Sequence, residues 1–191
     1  TRPTLAGMLA LTFVAGCGSG DTERTATSES PAGTVAVTRE ADGVLRIGLL
    51  IPLSDSEASF ARGLAPIMEA VVDIMNNFGG FRGTDVEIVI RDEGSTPETA
   101  ANAARALVET DDVDAVIGPF SALSAPSAVP ILVSSGIGVC SPSVSTSAMD
   151  YLSDDDLFIR TATLDTEIIR GMVDLAVQSG RERVSVAYPD D

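Results

Sequence analysis

Apolar and polar positions change their period in blocks along most of this chain. Residues 44–51 (Val-Leu-Arg-Ile-Gly-Leu-Leu-Ile) are a nearly continuous apolar run, the pattern of a strand covered on both faces. After a loop, Leu64, Ile67, Met68, Val71, Val72 and Met75 recur three and four residues apart, which predicts an amphipathic helix closed by Gly79 and Gly80. A second strand is predicted over 85–91. Ser95-Thr96-Pro97-Glu98 supplies a hydroxyl cap, an early proline and a Glu that can reach back, so a helix opens there with Ala100, Ala103, Ala104, Leu107 and Val108 inward. A third strand over 113–117 ends in Gly118-Pro119. A short or bent helix, limited by Pro130, follows through Ala125, Ala128, Val129 and Leu132. Further strands are predicted at 136–140 and 157–160. Asp165 is placed to cap a last helix through Ile169, Met172, Val173 and Ala176, and 184–188 reads as a sixth strand.

Strand and helix alternate throughout, which implies right-handed crossovers and an α/β fold with an open parallel sheet and helices on both faces. A last strand needs a helix over one of its faces, and Asp190-Asp191 stands there instead. The expectation is an amino-terminal piece of a longer protein.

Before residue 44 the pattern differs. An apolar run over 5–15 leads into Val14-Ala15-Gly16-Cys17, followed by Gly18-Ser19-Gly20-Asp21. The run is shorter than the roughly 20 apolar residues of a spanning helix. Small residues before a cysteine at the end of a signal-like segment resemble the lipobox of bacterial lipoproteins. That resemblance implies cleavage before Cys17, a lipid on its sulfur, and a mature chain working outside the cytoplasmic membrane while tied to it. An ordinary secretory signal, or a buried strand with an incidental cysteine, is the plainer alternative. Residues 18–43 are rich in Thr, Ser, Glu, Gly and Ala and read as a flexible tether with a reach of about 28 Å. The predicted organisation is a signal peptide over 1–16 and a tether over 17–43, ahead of the folded body.

Composition narrows the partners. The 191 residues carry 12 Arg and no Lys against 28 acids, a net charge of −16. Such a surface repels nucleic acid and anionic lipid. With Cys17 lipidated, Cys140 is the remaining thiol, so no intrachain disulfide is expected; its place in an apolar strand predicts a buried, inert side chain.

Ligands of open α/β sheets bind outside the carboxyl ends of the strands. The loops there are 52–60, 118–124 and 141–147. The second and third are dense in serine and enter helical segments, whose exposed N–H groups and dipoles favour an anion. Hydroxyls add donors without adding charge, which suits a carboxylate that must bind and leave again. Each serine taken singly also fits a helix cap or turn. The inventory excludes most chemistry. Ser-His and Cys-His catalysis need a His, and there is none. A P-loop needs a Lys. Pro52 stands where a dinucleotide fold has its glycines, and Gly118-Pro119 where a phospho-receiver domain would want an Asp. Clusters of His and Cys for a metal are absent, and Asp154-Asp155-Asp156 reads as a solvated turn rather than a calcium site. No cofactor and no metal are expected.

The succession Arg46-Ile47-Gly48-Leu49-Leu50-Ile51-Pro52-Leu53-Ser54, Gly79-Gly80, Asp92-Glu93-Gly94-Ser95, Val116-Ile117-Gly118-Pro119 and Ser141-Pro142-Ser143 resembles the type 1 periplasmic binding proteins. Phe158-Ile159-Arg160-Thr161 and Val184-Ser185-Val186-Ala187-Tyr188 fit the same pattern. Within that family the chain is most similar to the leucine/isoleucine/valine-binding branch, which serves ABC importers. The resemblance implies two α/β lobes joined by a hinge, with residues 44–161 as the first ligand-binding lobe and 162–191 as the start of the second, incomplete here. It implies a serine contact to the ligand carboxylate near Ala122, which has no hydroxyl and is flanked by Ser121 and Ser124. It also implies a backbone carbonyl to the ammonium at Ser143, a hydroxyl to the carboxylate at Ser145, and an aromatic cover at Phe60. The acid that holds the ammonium from the second lobe is expected beyond Asp191.

The expected function is therefore an extracytoplasmic, lipid-anchored solute receptor. It would hand an amino acid or similar small solute to an ABC permease, without enzymatic chemistry. One alternative is a two-lobed receptor that senses its ligand and signals through a membrane partner. Another is an extracytoplasmic enzyme whose catalytic residues follow residue 191.

Overall fold

The computed structural model describes residues 42–54 and 58–185. Cys17, the tether up to residue 41 and residues 186–188 of the expected sixth strand lie outside them. Asp42 and Gly43, assigned to the tether by composition, are described, and Asp42 is fastened to the body. Its carboxylate accepts from the Val44 N–H at 2.8 Å and pairs with Arg46 at 2.6 Å.

Five parallel strands form one sheet in the order β2-β1-β3-β4-β5. They are β1 (Leu45–Ile51), β2 (Val86–Asp92), β3 (Ala115–Ile117), β4 (Gly138–Ser141) and β5 (Phe158–Arg160). The helices between them are α1 (Ala58–Asn77), α2 (Pro97–Glu109) and α3 (Ala125–Ser134), and α4 (Asp165–Gln178) follows β5. The α/β class, the parallel sheet and helices on both faces are as the sequence predicts.

The continuous apolar run of β1 exists because successive side chains point to opposite faces and both are covered. Leu50 packs toward α2 and α3, in a core with Ala104, Leu107, Val129 and Leu132. Leu49 and Ile51 pack toward α1, with Ala61 and the half-buried Leu64, Met68 and Ile90. Each fully buried leucine or isoleucine contributes about 1.5–3 kcal/mol.

Several expectations are corrected. The buried stripe of α1 is narrower than its periodicity predicts: Ile67, Val71 and Met75 are exposed, and its packed cluster reaches residues of β1, β2 and the end of β3. The N-cap of α2 is Thr96, so the third helical position is Thr99 rather than Glu98. Thr96 and Thr99 complete a reciprocal capping box, and Glu98 lies in the first turn without that role. In α4 the cap position is Leu164, with no side-chain cap, and Asp165 is the first helical residue. Ile169, Met172 and Val173 of α4 are exposed, since nothing among the described residues packs over them. Val184 and Ser185 are not in strand conformation.

Cys140 is exposed, not buried. Its neighbour Val139 points to the α2–α3 core, at 2% exposure, so the alternation of β4 turns Cys140 to the other face. There Ile47, Ala115, Ile117, Gly138, Cys140 and Ile159 line an open apolar groove.

Candidate functional site

The strand order seats β1, β3 and β4 side by side and parallel, so the loops that follow them emerge along one rim. Hydrogen bonds tie the second and third of these loops directly together. The Ser141 hydroxyl, fully buried, donates to the Pro119 carbonyl at 2.7 Å and accepts from the Val144 N–H at 3.1 Å. The Ser143 hydroxyl donates to the Phe120 carbonyl at 2.6 Å. Gly118 opens the loop after β3 with φ +119°, and a Cβ there would stand 2.1 Å from the Leu50 carbonyl oxygen. Only glycine lets the loop root approach the end of β1 so closely.

Two acids at the end of β2 hold the rim from behind. Asp92 accepts from the Leu53 N–H at 2.8 Å and the Gly94 N–H at 2.9 Å, and at longer range from the Ser54 N–H. Burial pushes its carboxyl up, but the bonds from Gly94, Leu53 and Ser54 outweigh that and hold it below the ordinary value. Glu93 is fully buried. Its backbone N–H donates to the Ile51 carbonyl at 2.9 Å. Its two carboxylate oxygens accept from the Phe120 N–H at 2.9 Å and the Ser121 N–H at 2.8 Å. Sequence reasoning assigned no role to either acid. The available signal was two acids in succession closing an apolar strand.

The predicted site residues fall as follows. Ser121 is half-buried, and its hydroxyl accepts from the Leu123 N–H at 3.3 Å while its carbonyl accepts from Ser124 and Ala125. Ala122 lies one residue beyond the Glu93 clamp, and its N–H takes part in no hydrogen bond among the described residues. Ser124 stands at the N-cap of α3 without a side-chain cap bond. The Ser143 hydroxyl is engaged with Phe120, while its carbonyl forms no bond among the described residues. The Ser145 hydroxyl is likewise unengaged among them, and its carbonyl accepts from the Asp165 N–H at the start of α4. Arg160 fixes the far end of this loop through the Thr146 carbonyl at 2.8 Å and an ion pair with Asp150. The structure thus brings Ser121, Ala122, Ser143 and Ser145 onto one rim. Phe60 belongs to α1, but its side chain lies outside the described residues, as do residues 55–57.

The rim offers an N–H at Ala122, a hydroxyl at Ser145 and a carbonyl at Ser143. These are uncharged donors and an acceptor, suited to reversible capture of a small polar solute. No group of His, Cys, Asp and Glu among the described residues could hold a metal. The Asp154–Asp156 run is a turn, with the Asp156 N–H donating to Asp154 at 3.2 Å.

A parallel sheet thus carries its hydroxyl-rich loops on one shared rim. The chain belongs to the periplasmic binding protein family, whose model matches residues 44–191. It is similar to the branched-chain amino acid transporter substrate-binding protein LivJ from Streptococcus pneumoniae, solved with isoleucine, at 25% identity and a TM-score of 0.61, covering 71% of this chain and 39% of that one. It is also similar to an ABC transporter substrate-binding protein from Desulfitobacterium hafniense, solved with leucine, at 26% identity and a TM-score of 0.63, covering 78% and 43%. A solute-binding protein from R. palustris, solved with 4-hydroxybenzoate, shares the fold at 22% identity and a TM-score of 0.61, covering 72% and 36%. The chain thus aligns with about two-fifths of the length of these proteins. A search of curated protein sequences gives no match.

Proposed function

We propose that this chain supplies the first gripping lobe of an extracytoplasmic solute receptor that passes an amino acid to an ABC importer. The observation that carries the reading is the joined rim. Ser141 and Ser143 lock the loops after β3 and β4 together, while Ala122, Ser143 and Ser145 keep an N–H, a carbonyl and a hydroxyl unengaged among the described residues. An ammonium would rest on the Ser143 carbonyl, and a carboxylate on the Ala122 N–H and the Ser145 hydroxyl. The two relatives at 25% and 26% identity, solved with isoleucine and leucine, support an aliphatic amino acid.

Residues 44–161 act as the first lobe, and residues from 162 onward begin the second. The exposure of every residue of α4 except the half-buried Ala176 supports that boundary, because α4 buries no residue on this sheet. Capture comes first on fixed dipoles of the first lobe, and hinge closure follows. The closed form is what the permease reads. The lipobox residues Ala15-Gly16-Cys17 support a lipid anchor that keeps the receptor beside its permease.

The test is calorimetry of the full-length protein against aliphatic amino acids, their amides and aromatic acids. Micromolar or tighter binding of an aliphatic amino acid, lost when its carboxylate is amidated, is the expected result. A flat response across the panel removes the reading. For the anchor, Cys17→Ser should move the protein from the membrane to the soluble extracytoplasmic fraction; an unchanged distribution removes the lipid.

A further inference from the structure

We infer that Glu93 is a positioning residue for ligand capture: its buried carboxylate aims the Ala122 N–H of the ligand-facing loop by seizing the two N–H groups before it. The inference rests on the binding role proposed for the rim. Glu93 holds this loop at the Phe120 and Ser121 N–H groups, just before Ala122. It sits past the end of β2, beside β1, and reaches across the β1 tip to the loop after β3.

Three observations carry it. Glu93 is fully buried, and a buried carboxylate is a poor device for stability, since well-packed apolar residues of the same volume do at least as well. Its oxygens take the N–H groups of Phe120 and Ser121 at 2.9 and 2.8 Å, and the next N–H along the chain, Ala122, is the one without a partner among the described residues. The same loop is gripped from the opposite side by the Ser141 and Ser143 hydroxyls on the carbonyls of Pro119 and Phe120. Two consecutive peptide units are therefore held at both their N–H and C=O ends, which fixes the peptide plane that follows. Adjacent Asp92 does the same for the loop after β1 through Leu53. The end of β2 thus sets the relation between the two loops beside it.

Charge-assisted bonds to a carboxylate are short and directional. An amide can accept on one oxygen only, and its NH2 would oppose the second N–H. Glu93→Gln therefore keeps the volume and breaks one arm of the clamp, while Glu93→Asp keeps the charge and shortens the reach.

The experiment uses full-length protein, with L-leucine and L-isoleucine as probes, at a temperature where each variant is fully folded by circular dichroism. Glu93→Gln is expected to raise Kd at least tenfold, and to shift the Phe120 and Ser121 amide protons upfield as the carboxylate bonds are lost. Glu93→Asp is expected to fall between the two. A folded Glu93→Gln that binds as tightly as wild type overturns the inference, whatever its melting temperature. If Glu93→Gln does not fold, Glu93→Asp decides by the same reading: weaker binding supports the role and unchanged binding removes it. Wild-type protein silent to both probes removes the aliphatic amino acid reading, and this role with it, which separates that failure from a failure at Glu93 alone.

Discussion

Ser143 of the loop after β4 donates its hydroxyl to the carbonyl of Phe120 in the loop after β3, at 2.6 Å. This bond makes the two serine-rich loops one surface. Ser143→Ala removes it without adding bulk. Stability should fall by about 0.5–1.5 kcal/mol, read from urea unfolding. Solute affinity should fall as well, because the loops lose their fixed separation. An unaltered unfolding midpoint would mean that the Ser141 bridge alone joins the loops.

Ser145 carries the hydroxyl to which the proposed binding mode assigns a ligand carboxylate. Ser145→Ala should weaken solute binding by about 1–3 kcal/mol, with the ligand-free melting temperature nearly unchanged, since no described residue uses that hydroxyl. Calorimetry of the two proteins with the same amino acid decides it. Equal affinities would reduce Ser145 to a turn residue.

Gly118→Ala should be the costliest change on the rim for its size. The backbone is at φ +119° and the new Cβ would meet the Leu50 carbonyl oxygen at 2.1 Å. The loss should exceed about 1 kcal/mol, measured by denaturant unfolding. A neutral substitution would show that the loop root can move away from β1.

The Asp92 carboxyl is held below its ordinary value by the N–H groups it accepts from. Its contribution is then present above the unfolded value of about 3.9 and is lost as pH falls through the lower folded value. Asp92→Asn should be less stable than wild type at neutral pH, and the gap should close in acid. Urea midpoints at pH 7 and at pH 3 test the sign. A gap of constant size would assign the effect to the side-chain shape rather than the charge.

The alternation of strands and helices was legible because parallel strands buried on both faces need long apolar runs, as in residues 45–51, and helices need a different period. Periodicity reports which face of an element is apolar, but not whether anything covers it. That is why Cys140 was expected inside and is exposed, and why the apolar residues of α4, such as Ile169 and Met172, lie exposed. The capping error came from register. A cap at Ser95 would put Glu98 at the third helical position, whereas the chain enters the helix at Thr96 and puts Thr99 there. The serine loops were legible as a group from their density and their place after strands. Glu93 was not, because an acid at a strand end ordinarily faces water, and only the loop after β3, folded onto its carboxylate through Phe120 and Ser121, encloses this one.

The side-chain amide of Asn76 spans the N–H and C=O of Val86, accepting at 2.7 Å and donating at 2.9 Å. Val86 opens β2, an edge strand of the sheet. An unpaired border of this kind invites a strand from another molecule. By imitating one residue of such a strand, Asn76 removes the position where pairing would begin. A single amide near the end of α1 thus occupies a backbone donor and acceptor that this edge would otherwise present.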